Sequence, residues 1–112
     1  MHEWSCFLAE QAAQLGVKGL LHGIGAEAWG HDLAALCERV ASTLGEPWPP
    51  EASRWAERLS RFYIPTRYPD AVPGGVPGQR YVRADAEAAG DDARSLLAAV
   101  DTAWSTLTRE AG

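Results

Sequence analysis

Ten consecutive residues, Arg61-Phe62-Tyr63-Ile64-Pro65-Thr66-Arg67-Tyr68-Pro69-Asp70, set three aromatic rings, two guanidinium groups and one carboxylate on a backbone held by two prolines. Proline fixes its own φ and drives the preceding residue out of the helical region, so Ile64-Pro65 should end a helix and Tyr68-Pro69 should keep the chain extended. A stiff, extended support suits side chains that must be presented. Arginine reads a phosphate or carboxylate through two parallel hydrogen bonds, and a tyrosine offers a ring face to a base and a hydroxyl to an oxygen. The combination of Arg61, Tyr63, Arg67, Tyr68 and Asp70 therefore points to an anion, a nucleotide or a nucleic acid. A second reading of the same residues is structural, with Asp70 closing a turn and Arg67 locked onto an acid of the fold.

Three further groups bear on that chemistry. Lys18, the single lysine, lies in a largely apolar helical stretch. It either snorkels to the surface or pairs inward with Asp70 or a ligand phosphate. His31 stands at a helix start, where it is a structural residue or a ligand contact. Arg80 belongs to a basic island. Residues 54–83 carry six basic and two acidic side chains, whereas residues 1–53 carry two and seven, and residues 84–112 two and six. The overall charge of −5 argues against a generally basic nucleic-acid binder, yet the island could gather into one anion-attracting face. The plainer account of Arg54 and Arg58 is a solvated helix face, with Glu51 and Glu57 spaced to form helical ion pairs.

Other chemistry is poorly supported. His2, His22 and His31 lack metal-ligand spacing, and Gly74-Gly75 and Gly78 lack the strand and helix that flank a phosphate loop. Cys6 and Cys37 fall in helical patterns and read as small core residues, not as a disulfide or metal pair. No cofactor is implied. No apolar run is long enough to span a bilayer and the N-terminus does not resemble a signal peptide, so a cytoplasmic protein with no membrane contact is expected.

The elements that must position these groups follow from periodicity. A first helix from about Glu3 to His22 is apolar on two sides, which predicts a place in the middle of a bundle, and Gly16, Gly19 and Gly23 predict a seam where another helix backbone comes close. A second helix carries Leu33, Leu36, Cys37, Val40 and Leu44 and stops at Gly45. Pro49 or Pro50 opens a third, whose inward stripe is Ala52, Trp55, Ala56, Leu59, Phe62 and Tyr63. Residues 64–82 hold four prolines and three glycines and form a long loop, with a faint strand at Val76–Val82. A fourth helix runs from about Arg83 to Arg109. At 112 residues the chain is a single domain, residues 1–112: an all-α, four-helix up-and-down (antiparallel) bundle with a long Pro/Gly-rich loop before the last helix.

The run Tyr63-Ile64-Pro65-Thr66-Arg67-Tyr68-Pro69-Asp70 resembles the Tyr-x-Pro-x-Arg-Tyr-Pro-Asp signature of the HEPN domain family (higher eukaryotes and prokaryotes nucleotide-binding). Cys6-Phe7-Leu8-Ala9-Glu10-Gln11-Ala12-Ala13 with Lys18 resembles that family's early helix, Trp29-Gly30-His31 its next helix start, and Tyr81 to Glu87 the entry to its last helix. The resemblance implies a small helical protein of the kind often encoded beside a minimal nucleotidyltransferase, which becomes a possible partner. It also implies one more helix before the one beginning near Trp4. The sequence opens at that later point, through loss of the helix or a misassigned start, and loss would expose an apolar face, so a homodimer or swapped assembly is expected.

Many family members cleave RNA with an arginine followed four to six residues later by a histidine. Here every histidine precedes every arginine, since His31 comes before Arg39, and a toxin branch that places a tyrosine after that histidine fails with it. Arginine and aspartate supply charge and shape without a proton shuttle at neutral pH, so no catalysis is expected. The leading expectation is a non-catalytic HEPN-like domain that binds a nucleotide of the ATP or GTP type, or a nucleotidyltransferase, through residues 61–70 with Lys18, His31 and Arg80. The alternative is an interaction module in which the loop is an Arg–Asp latch, with Trp48 and Trp104 as candidate docking residues. A ribonuclease toxin component is disfavoured, and RNA binding is left open.

Overall fold

The computed structural model describes residues 2–62 and 83–111. Among them four helices form, α1 (His2–Gly23), α2 (Leu33–Leu44), α3 (Ala52–Ser60) and α4 (Arg83–Ala111), with no strand. The all-helical bundle expected from periodicity is the observed fold. Tyr63, Arg67, Tyr68, Asp70 and Arg80, together with the faint strand at Val76–Val82, lie outside the described residues.

Local chemistry accounts for the helix limits. Asp32 caps α2 by accepting a hydrogen bond from the Ala35 N–H at 3.2 Å, and Gly45 ends it at φ +72°, a conformation that favours glycine. Pro49 and Pro50 fall just before α3 and not inside it, where the Pro49 carbonyl accepts from the Ala52 N–H at 3.1 Å.

The core is built from one stripe of each helix: Cys6, Val17 and Leu20 of α1, Leu33, Leu36 and Val40 of α2, Leu59 of α3, and Leu96 and Val100 of α4 are all buried. Trp48 joins them at 5% exposure, so it is a core residue and cannot serve as a docking residue. Cys37 is likewise buried, and its thiol is pushed up to about 12 by loss of solvation. A Cβ on Gly16 would meet Leu97 and one on Gly23 would meet Trp104. The two contacts share a spacing of seven along both helices, so α1 and α4 lie side by side and run in the same direction, which corrects the up-and-down order expected from the sequence, in which the first and last helices would be antiparallel. Arg58 meets Asp92 and Arg61 approaches Asp85, which makes α3 antiparallel to α4.

Two expectations for α1 are corrected. The glycine seam is filled by the side chains of Leu97 and Trp104, not by a helix backbone, and Gly19 takes no part, because a Cβ there would have nothing within 4 Å among the described residues. Nor is α1 enclosed by them. The molecule measures 18 Å in its thinnest direction, which accommodates about two helix layers at 8–10 Å separation, and Trp4, Leu8 and Leu15 remain 64%, 57% and 73% exposed.

Candidate functional site

Glu10, Gln14 and Lys18 are spaced by four along α1 and so share one face. Glu10 is fully buried, a costly place for a carboxylate unless hydrogen bonds replace its water. Gln14 Nε2 donates to Glu10 Oε2 at 2.6 Å, and Gln11 Nε2 donates to Oε1 at 2.8 Å. Burial raises the Glu10 pKa, while these two bonds and then the charges of His31 and Lys18 pull it back.

The network extends outward to His31. An ionised carboxylate only accepts, so the Gln14 amide must turn its nitrogen to Glu10 and its oxygen away. That oxygen lies 3.3 Å from His31 Nδ1, which therefore donates. Asp32, next in sequence, anchors the ring's backbone at the α2 cap. His31 is exposed as a residue and is held from behind by a buried carboxylate through one amide.

Two residues earlier, Trp29 is 64% exposed and also held in place. Its Nε1 donates to Glu27 Oε2 at 2.7 Å, its carbonyl accepts from Arg39 Nη1 at 3.1 Å, and the Arg39 guanidinium sits 4.6 Å from the ring centre. Beside it lies an open groove of about 430 Å³ lined by Ala26, Ala35, Glu38, Arg39, Ser42 and Thr43. The Ser42 and Thr43 hydroxyls donate back to helix carbonyls, so toward the groove they offer acceptor lone pairs.

The basic island is partly consumed by structure. Arg58 donates to both Asp92 oxygens, at 2.6 and 2.9 Å, and Asp92 is 7% exposed. This pair ties α3 to α4 and replaces the solvated helix face expected for Arg58. Arg61 is exposed, lies 4.8 Å from the Phe62 ring centre, and approaches Asp85 at 4.0 Å. Of the expected site residues, His31 is joined to Glu10 through Gln14, Lys18 acts on Glu10 by its charge alone, and Arg61 stands at the end of α3. Glu10, Gln14 and Arg39 were not anticipated. The signal for the first two was a polar residue at every fourth position of an otherwise apolar helix. Among the described residues no group of three or more histidine, cysteine, aspartate or glutamate side chains gathers to hold a metal.

Comparison with known proteins places this geometry in context. Residues 1–103 match the HEPN domain. The chain is similar to a solved structure described as TT1696 from Thermus thermophilus, at 41% identity and a TM-score of 0.70, covering 88% of this chain and 76% of that one. No curated protein matches. With nearly the whole chain matched and the helical architecture shared, this protein belongs to the HEPN domain family.

Proposed function

We propose that this HEPN-family domain is a non-catalytic binding module that accepts a phosphate-bearing nucleotide, with a nucleotidyltransferase as the protein partner that shares the site. The observation that supports it is the Glu10–Gln14–His31 relay: an exposed imidazole is oriented by a buried carboxylate, two residues along the chain from a braced, exposed tryptophan. Stacking on Trp29 and anion contacts from Lys18 and His31 would be joined by Tyr63, Arg67, Tyr68, Asp70 and Arg80. In this reading Arg67 contacts phosphate and Asp70 orients it. The order of residues, with every histidine before every arginine, supports the absence of ribonuclease chemistry.

Calorimetric titration of ATP, GTP and AMP into the wild type, Lys18→Ala and Arg67→Ala tests the proposal. Binding by the wild type that falls about tenfold or more in either variant, with unchanged thermal stability, supports it. No binding up to millimolar nucleotide, with Arg67→Ala less stable than wild type, overturns it in favour of the latch. RNA cleavage by purified protein that survives Arg67→Ala would overturn the non-catalytic assignment.

A further inference from the structure

The groove beside Trp29 has a hydrogen-bonding character set by four side chains of α2. Glu38 and Ser42 are one turn apart, as are Arg39 and Thr43, so two neighbouring columns of side chains line it. The exposed Glu38 carboxylate, when ionised, only accepts. The Ser42 and Thr43 hydroxyls direct their hydrogens to the Glu38 and Arg39 carbonyls at 3.0 and 2.8 Å, so they accept as well. Arg39 is the donor among these side chains. The Trp29 carbonyl takes one of its N–H groups, and contact with the Trp29 ring holds the guanidinium in place while the other N–H groups stay available. Ala26 and Ala35 add short apolar walls.

We infer, on the basis of the nucleotide-binding reading above, that the base stacked at Trp29 is guanine, with Glu38 accepting from its N1–H and N2 amino group and Arg39 donating to its O6 and N7. Guanine carries two adjacent donors on one edge and two adjacent acceptors on the next, the complements of a carboxylate and a guanidinium set side by side. Adenine reverses the pattern at both groups. Its N1 lone pair would face the carboxylate and its amino hydrogens would face the guanidinium, so polar atoms would be desolvated without partners. Hypoxanthine keeps the N1–H, O6 and N7 of guanine and lacks the amino group, which removes one contact and preserves the rest.

Exposure sets the size of the effect. Glu38, Ser42 and Thr43 are open to solvent, so water competes with each of these hydrogen bonds. Discrimination between guanine and adenine is therefore expected at about tenfold, below the roughly hundredfold that a two-point contact supplies at its best.

Calorimetric titration of GMP, IMP and AMP into the full chain and into Glu38→Gln reads the base alone, because the three ligands share ribose and phosphate. The expected wild-type order is GMP tightest, IMP between and AMP weakest, with about tenfold from first to last. Glu38→Gln turns one acceptor of an exposed side chain into a donor, and is expected to bring GMP and AMP within about twofold at an unchanged melting temperature. A wild type that binds AMP as tightly as GMP, or more tightly, overturns the inference and leaves nucleotide binding standing. A guanine preference that survives in Glu38→Gln overturns it as well, since another group then reads the base. No binding of any of the three at millimolar concentration overturns the nucleotide reading and this inference together.

Discussion

Glu10 shows how much of this site turns on one buried group. Its raised pKa means that the folded protein holds the proton more tightly than the unfolded chain. Between the ordinary carboxylate value of 4.5 and the raised folded value the native state therefore binds more protons, and stability falls as pH rises through that window. The favourable contribution is fully present below 4.5 and is lost once pH passes the folded value. Glu10→Gln removes the titration, so denaturant melts across the acid range are expected to show a shallower pH dependence in the variant than in the wild type. An unchanged slope would mean that the carboxylate is solvated. Glu10→Ala is the harsher change, costing about 1–3 kcal/mol because the Gln11 and Gln14 amides lose their acceptor.

For the helices, the informative contrast is between glycines on one element. Gly23 and Gly19 are a single turn apart on α1, Gly19 within the helix and Gly23 as its last residue. Their surroundings differ, because a methyl on Gly23 would run into the Trp104 ring whereas one on Gly19 meets none of the described residues. Gly23→Ala is expected to destabilise by about 1–3 kcal/mol through overpacking. Gly19→Ala is expected to stabilise by about 0.5–1 kcal/mol in dilute solution, by removing backbone entropy from the unfolded chain. Urea midpoints of the two variants should move in opposite directions. Movement in the same direction would contradict the side-by-side packing of α1 and α4.

For the whole molecule, the Arg58–Asp92 pair links the two helices on either side of residues 63–82. Asp92 is the more buried partner, so the two single changes should differ. Arg58→Ala leaves a buried carboxylate without its cation and should lower the melting temperature more than Asp92→Asn, which leaves a half-exposed guanidinium that water can serve. Equal losses would mean that the pair contributes through packing alone.

The sequence alone determined the helices and the family. Helical periodicity, the Asp32 cap, the glycine at position 45 and the prolines before α3 act over a few residues, and local chemistry of that kind is written in order along the chain. The motif from Tyr63 to Asp70 was equally legible, because a signature is a matter of residue type and spacing. What only the tertiary structure decided was which groups meet. Arg58 has Glu51 and Glu57 nearby in sequence yet bonds Asp92 across 34 positions, and Trp48 reads as a surface anchor yet completes the core. The apolar residues of α1 could not reveal from periodicity which of two faces would be covered. That depends on how many helices pack around it, and burial is a property of the assembled layers, not of the stripe.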